Sequence, residues 1–165
     1  MFKQIFLPII GVMLFIVFVG LLNQGKLNFL FAMPSPTPVA LTKTILIDNK
    51  EIAVEVARTA TERSKGLSGR DSLDKNSGMV FIFSKDSKPI FWMKDTKFPL
   101  DIIWINDNKV VRIDKSVPTE LSKKDSELTR YSTNVGIDYV LEVNAGFSED
   151  NKIKVGSTVQ KLSDL

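Results

Sequence analysis

The sequence predicts an all-β domain, a compact antiparallel β-sandwich or jelly-roll-like barrel with one short helix, preceded by a single N-terminal transmembrane helix. Three features support this: an uncharged N-terminal run, short alternating segments beyond it, and turn residues at about 8–12-residue spacing. A chain of 165 residues, 44% hydrophobic and 25% charged, has room for one domain with appendages. We therefore divide it into a membrane anchor with its flank (1–32), a proline-rich linker (33–42) and a β-sandwich domain (43–165).

The apolar run from Ile5 to Leu22 contains no charged residue, and its eighteen residues would form a helix of roughly 27 Å. That length matches the hydrocarbon core of a bilayer, so we expect this run to contact the membrane as a single-pass helix. Lys3 with the α-amino group on one side, against Lys26 on the other, favours a domain outside the cytoplasm. The alternative is a cleaved signal peptide and a secreted protein. Three alternating prolines in 33–42 predict an extended spacer.

Composition narrows the chemistry that is open to the chain. It has no cysteine and no histidine, which excludes disulfides, thiolate nucleophiles, Cys/His zinc sites and a serine–histidine–carboxylate triad. From Lys43 onward the 20 basic and 19 acidic residues are balanced, and no basic stripe predicts nucleic acid as a partner. We predict no cofactor and no metal site, and we expect a monomer. The sequence leaves catalysis open but favours a protein that is not an enzyme.

The domain begins with a predicted hairpin, because residues 43–47 and 51–56 alternate polar with aliphatic side chains around an Asp-Asn-Lys turn. Thr59 and Glu62 then have capping-box spacing and Gly66 can end a helix, so we expect a helix of about two turns. Further strands are predicted at Gly78–Phe83, Ile90–Met93, Leu100–Ile105, Lys109–Ile113, Tyr139–Val143 and near Ser157–Leu162.

The strand Leu100–Ile105 contains an acid where an apolar face is expected. Strand side chains alternate with period two, so Asp101 shares its face with two isoleucines. We expect Arg70, just after the helix, to reach Asp101 in a bidentate ion pair. Such a pair, or backbone amides after Pro99, would merely satisfy the buried carboxylate; alternatively, Arg70 belongs to a site for an anionic or sugar group.

Three further residues are candidates for a site. Glu142 lies, like Asp101, inside an apolar run, and two carboxyl groups at a suitable distance could hydrolyse a glycosidic bond, although Glu142 could equally face solvent. Trp92 is the aromatic residue that we expect at the surface. Thr96 lies in a charged loop, where we expect it to hydrogen-bond its own turn and where it could border a pocket.

Four segments, ATERSKGLSGR, GMVFIF, FWMKDTKFPLDIIWI and YVLEVNAG, in this order, resemble the bacterial and archaeal family named domain of unknown function 192. The resemblance covers Lys43–Leu165. It implies a compact jelly-roll-like β-sandwich in proteins that are commonly exported or membrane-attached, and it implies no activity. The chain has Gly156-Ser157 where many members have Gly-Asp, so it does not carry over any role of that acid.

We therefore expect a ligand-binding or glycan-binding module of the cell envelope, which would take a glycan or a small anionic ligand. The candidate ligand-binding residues are Arg70, Trp92, Thr96, Asp101 and Glu142. One alternative is a carboxylate-based envelope hydrolase that uses Asp101 and Glu142. Another is a structural adaptor that docks a second envelope protein through an exposed apolar patch.

Overall fold

The computed structural model describes residues 42–165, which form a seven-stranded curled sheet with two short α-helices. In chain order the elements are β1 (Lys43–Ile47), β2 (Lys50–Ala57), α1 (Ala60–Lys65), β3 (Ser77–Ser87), β4 (Leu100–Asn106), β5 (Lys109–Val117), β6 (Ile137–Asn144), α2 (Phe147–Asp150) and β7 (Val159–Gln160). The predicted transmembrane helix over 5–22 lies outside the described residues, as does the linker up to residue 41. Between residues 42 and 165 no helix has the length and apolarity needed to cross a bilayer.

The strands follow one another in the order β5-β4-β6-β3-β2-β1-β7 within a single sheet. Their pairing is antiparallel, as predicted, except that β2 and β3 run parallel with Ala53 opposite Ser77. A parallel pair needs a long crossover, and residues 58–76, which contain α1, provide it. The amide of Val110 in β5 donates to the carbonyl of Ser157 at 2.9 Å, just before β7. This bond and its neighbours draw the two ends of the strand order together, so the sheet curls into a half-barrel.

The local predictions hold best where side chains make specific bonds. The hairpin of β1 and β2 is confirmed. The capping box of α1 is also confirmed, because the Glu62 amide donates to the Thr59 hydroxyl and the Thr59 amide donates to the Glu62 carboxylate. Gly66 ends the helix with a positive φ of 47°. The second α-helix, α2, was not predicted.

The prediction of a strand at Ile90–Met93 is wrong. Only Phe91 makes a bridge, to Tyr131, and the backbone bonds between these two residues do not continue into a ladder. Pro89 precedes this segment and lacks an amide donor, so a regular strand cannot extend back through it. Residues 89–96 form a loop instead, which covers one face of the sheet near α1.

Two hydrophobic clusters pack on opposite faces of the sheet, and the alternation predicted for β4 separates them correctly. Ile103 and Ile105 belong to one cluster, which we call the Ile103 cluster, together with buried residues of β1, β2 and β7. Leu100, Ile102 and Trp104 belong to the other, the Trp104 cluster, with aromatic residues of β3 and of the 89–96 loop. Both faces of β4 are therefore buried, and any polar side chain on this strand lies in the interior.

Candidate functional site

Asp101 is fully buried, and main-chain donors hold it rather than Arg70. The amides of Ser116 and Gly146 donate to its Oδ1 at 2.8 and 3.1 Å. The amide of Ser148 donates to its Oδ2 at 2.9 Å, and the Ser148 hydroxyl donates to the same oxygen. The predicted ion pair with Arg70 is therefore wrong. Backbone amides do satisfy the carboxylate, but they come from β5 and the start of α2, not from the turn after Pro99.

Two local distortions aim these donors at Asp101. The register of β4 and β5 shifts between the pairs Leu100–Val117 and Ile102–Asp114, which leaves two residues of β5 opposite one of β4. This β-bulge includes Ser116, whose φ of 48° turns its amide inward. Gly146 and Ser148 lie in the first turn of α2, where amides have no partner within the helix. Asp101 therefore ties three elements together, and its role is architectural.

Arg70 pairs with Glu55 of β2 instead. Its two terminal nitrogens donate to the two carboxylate oxygens, one of them at 2.7 Å, in a bidentate arrangement. The Arg70 guanidinium lowers the pKa of the Glu55 carboxyl. Both side chains are partly exposed, and they line a different depression from the pocket that contains the other candidates. Arg70 and Asp101 thus leave the candidate site.

The other three candidates share one pocket of about 220 Å³, which we call the Glu142 pocket. It lies between α1 with the turn that follows it, the 89–96 loop, and strands β3 and β6. Trp92, Thr96 and Glu142 all line it. Its apolar wall is formed by Leu67, Phe81, Phe83, Ile90, Phe91 and Trp92.

Glu142 provides the acid on the floor of the pocket. It lies on β6 directly opposite Met79 of β3 and Ile102 of β4, so its side chain points to the face of the Trp104 cluster. The residue is 5% exposed. Burial alone raises the pKa of its carboxyl to about 8, and no hydrogen bond or charge of a described residue offsets this effect. Near neutral pH the group is mostly protonated and can both donate and accept a hydrogen bond.

The mouth of the pocket is cationic. Arg63, Lys65 and Lys94 line it. Arg63 donates to the carbonyl of Ile82 at 3.0 Å, and its guanidinium lies 5.0 Å from the centre of the Phe83 ring. Arg63 is therefore held in place by a carbonyl and an aromatic face, and neither of them neutralises its charge.

Trp92 stands at the edge of this mouth and is 41% exposed, which confirms the surface position predicted for it. The guanidinium of Arg130 lies 4.2 Å from its ring centre. Thr96 is buried and its hydroxyl donates to the carbonyl of Lys94 at 3.3 Å, as predicted for its own turn. The amide of Gly69 donates to the carbonyl of Asp95 at 2.9 Å. This bond joins the turn after α1 to the 89–96 loop, so two walls of the pocket are fixed to each other.

Comparison with known proteins agrees with this fold. The model of the family DUF192, described as "Uncharacterized ACR", matches residues 43–161. The chain belongs to this family. A search of curated proteins finds no significant match. The resemblance predicted from the four segments is thereby confirmed.

Two solved structures share the fold. A protein of unknown function from Novosphingobium aromaticivorans DSM 12444 has a TM-score of 0.67 and 29% identity, over 78% of this chain and 93% of that one. A "putative transcription regulator" from Sinorhizobium meliloti 1021 has a TM-score of 0.64 and 25% identity, over 72% of this chain and 92% of the other. These two likenesses support the fold of the chain and assign it no chemistry.

The pocket does not contain the carboxyl pair that a hydrolase would need. Asp101 lies opposite Val143, on the face of the Ile103 cluster, whereas Glu142 lies on the other face. The sheet itself separates the two acids, so they cannot flank one substrate bond. Among residues 42–165, no group of three or more acidic side chains is arranged to hold a metal ion.

Sequence reasoning missed most of the pocket. Among the lining residues that it did not single out as site candidates are Arg63, Lys65, Phe81 and Phe83. Arg63 and Lys65 lie two residues apart at the end of α1, and nothing in the chain indicates which strand the helix covers. For Glu142 the signal was present, because an acid between Leu141 and Val143 in a run of apolar residues points to a strand that is buried on both faces.

Proposed function

We propose that this DUF192 domain binds a small hydroxylated ligand in the Glu142 pocket, and that the ligand is a sugar unit of a cell-envelope glycan. The observation that supports this proposal is the Glu142 carboxyl, which is buried on the pocket floor without a partner among the described residues. The Glu142 oxygens are not among the fully enclosed side-chain atoms that lack a partner, so they open into the pocket, where a ligand can reach them. A hydroxyl group of a ligand would supply a hydrogen bond to the Glu142 carboxyl, which explains why an acid occupies this position.

The size and walls of the pocket favour one sugar ring. Its volume of about 220 Å³ is smaller than the pockets of roughly 300–1,000 Å³ that enclose drug-sized ligands. Aromatic side chains form much of the wall, and their faces suit the C–H side of a sugar ring. The protonated carboxyl of Glu142 would then donate to, or accept from, a ring hydroxyl.

We place the domain outside the cytoplasm, attached to a membrane through residues 5–22. The uncharged run and the position of Lys3 support this placement. Because the chain contains no cysteine, one introduced thiol reports its location without background. In Val155→Cys, at an exposed position, we expect a membrane-impermeant maleimide to label intact cells. Labelling that requires lysis would place the domain in the cytoplasm.

The binding proposal is tested by titrating the full-length chain, in detergent, with glucose, N-acetylglucosamine and glucuronate, using isothermal titration calorimetry. We expect at least one of these sugars to bind. Glu142→Leu, which keeps the bulk but removes both hydrogen-bonding oxygens, should weaken binding by about tenfold or more, and Glu142→Gln should keep most of it. Trp92→Ala should weaken binding as well.

Leu121→Ala serves as the matched control, because Leu121 is an exposed apolar residue that does not line the pocket. Its affinity should equal that of the unmodified chain. If none of the sugars binds, or if Glu142→Leu and Leu121→Ala bind them equally well, the proposal is wrong.

A structural adaptor is the second candidate, because two large apolar side chains are exposed at the mouth of the pocket. Ile90 is 57% exposed and Trp92 is 41% exposed. They could dock another envelope protein. The substitution Ile90→Glu should abolish a protein contact at this surface. Glu142→Leu separates the two functions, since it should weaken sugar binding and leave a contact of the exposed surface with another protein intact.

A further inference from the structure

The charged side chains that line the Glu142 pocket are all cationic except Glu142 itself. Lys65 forms no ion pair with any residue of 42–165, although Lys94 pairs with Asp125. Within residues 42–165, the Arg63 guanidinium donates to the carbonyl oxygens of Arg58 and Ile82 and lies over the Phe83 ring. The mouth therefore carries a positive charge that the protein does not fully neutralise.

Glu142 does not cancel this charge near neutral pH. Burial keeps its carboxyl mostly protonated, and none of the three cations at the mouth lies close enough to shift its pKa. The residues directly opposite it on β3 and β4, Met79 and Ile102, are neutral. An anion that enters the pocket would thus meet positive charge at the mouth and an uncharged hydrogen-bonding group on the floor.

The aromatic wall argues against a cationic ligand. An ammonium group binds best against the face of an aromatic ring. Two of the rings that line the pocket already carry guanidinium groups from the protein, since Arg63 lies over Phe83 and Arg130 lies over Trp92. Each of these rings is thereby engaged by a cation of the protein on one face, and Lys65 would repel a ligand cation at the mouth.

On the basis of the proposed function, we infer that the ligand of the Glu142 pocket is an acidic sugar, whose carboxylate lies at the mouth against Lys65 and whose ring hydroxyls reach Glu142. Charge-assisted bonds between an ammonium and a carboxylate are stronger than bonds between neutral groups. Lys65 therefore selects the acidic sugar, and Glu142 binds the part that acidic and neutral sugars share.

This arrangement makes binding sensitive to pH in one direction. As the pH rises through about 8, Glu142 ionises and can no longer donate a hydrogen bond to a ring hydroxyl of the ligand. The other charged groups that line the pocket are Arg63, Lys65 and Lys94. The affinity for an acidic sugar should therefore fall between pH 7 and 9, and Glu142→Gln should remove that fall.

The test compares three sugars of one shape, glucuronate, glucose and glucosamine, with the full-length chain in detergent at pH 6.5. We expect glucuronate to bind about tenfold more tightly than glucose. Lys65→Met should bring the ratio of the glucuronate affinity to the glucose affinity close to one. Lys97→Met is the matched control, because Lys97 pairs with Asp71 and does not line the pocket. It should keep the full preference.

The outcomes separate this inference from the proposed function. Equal affinities for glucose and glucuronate, both lost in Glu142→Leu, would overturn the acidic sugar and leave the sugar-binding module intact. Tightest binding of glucosamine would overturn it in the same way. If none of the three sugars binds at any pH between 6 and 9, both the inference and the proposed function are wrong.

Discussion

Asp101 and Glu142 are buried acids on the neighbouring strands β4 and β6. The residue opposite Asp101 is Val143, which follows Glu142 in the chain. The surroundings of the two acids differ completely. Asp101 is 0% exposed and accepts four hydrogen bonds, three from main-chain amides and one from the Ser148 hydroxyl. Glu142 is 5% exposed and has no such partner among the described residues. The sheet places one acid on each face.

The difference shows how a buried acid indicates its role. A carboxylate whose oxygens are all bonded holds the fold together, because its removal leaves amides without acceptors. A carboxyl that is buried beside a cavity and lacks a partner destabilises the fold and remains available to a ligand. Asp101 therefore has a structural role, whereas Glu142 is the acid that our proposal assigns to ligand binding.

The largest effect is expected for Asp101→Ala. This substitution leaves three amides without their acceptor, the buried amide of Ser148 and the partly buried amides of Ser116 and Gly146. A fully buried amide without a partner costs about 1–3 kcal/mol, and a partly buried one costs less. The free energy of unfolding should fall by more than about 3 kcal/mol, a large part of the roughly 5–15 kcal/mol typical of a domain. Urea denaturation of the full-length chain measures it. A loss below about 1 kcal/mol would show that Asp101 does not tie β4 to β5 and α2.

Glu142→Gln should act in the opposite direction. Burial raises the pKa of Glu142 from 4.5 to about 8 in the folded state, so the unfolded chain releases its proton at a lower pH. The free energy of unfolding therefore falls as the pH rises from 4.5 to 8, and it is level beyond. At pH 7 this loss amounts to about 3 kcal/mol, and glutamine avoids it.

Urea denaturation between pH 4 and 9 checks this expectation. The unmodified chain and Glu142→Gln should differ little at pH 4 and increasingly above it. Glu51→Gln, at an exposed position on β2, is the control and should follow the unmodified chain throughout. If the free energy of unfolding changed with pH in the same way for Glu142→Gln and the unmodified chain, the Glu142 carboxyl would be solvated. Its assignment to a buried pocket floor would then be wrong.

Arg70→Ala tests the ion pair that the sequence suggested and the structure replaced. If Arg70 neutralised Asp101, its removal would uncover a buried charge and destabilise the fold by about 3–5 kcal/mol. Because it pairs with Glu55, and both side chains are partly exposed, we expect a loss of about 1 kcal/mol or less. A double-mutant cycle with Glu55→Ala should assign that loss to the pair. A cycle with Asp101→Asn should show no coupling.

Much of the fold was predictable because it depends on local chemistry. The capping box of Thr59 and Glu62 is specified within four residues, and alternation within β4 is specified within six. The parallel pairing of β2 with β3 was not predictable in the same way. A helix between two strands allows the second strand to pair on either side, and residues 58–76 do not encode which side is chosen.

The site was predictable only in part, for a related reason. Trp92, Thr96 and Glu142 were found because each is unusual in its own segment. Asp101 looked equally unusual, but its partners Ser116 and Gly146 lie 15 and 45 residues away and use main-chain amides, which every residue has. A side-chain partner such as Arg70 can be recognised in the sequence by its residue type. A bulge that turns a main-chain amide inward has almost no sequence signal.

The smallest effect is expected for Glu120→Gln. Unlike Asp101 and Glu142, Glu120 is stabilised by a lysine side chain. A hydrogen bond from Lys123, helped by Thr129, lowers the pKa of Glu120 to about 2. The unfolded chain takes up its proton first, so stability is lost as the pH falls from 4.5 through 2. Because Lys123 is largely exposed, we expect an effect of about 1 kcal/mol or less.

This effect should be local, because Glu120 anchors the segment that carries Arg130 over Trp92. Amide hydrogen exchange between pH 5 and 2 should show Thr129 losing protection in the unmodified chain, whereas in Glu120→Gln its protection should depend less on pH. Glu142→Gln should leave the loss of protection at Thr129 between pH 5 and 2 unchanged, since the Glu142 carboxyl titrates near 8. Glu120 and Glu142 thus titrate in separate pH ranges. A variant that altered the pH dependence in both ranges would mean that the floor and the mouth of the pocket are coupled.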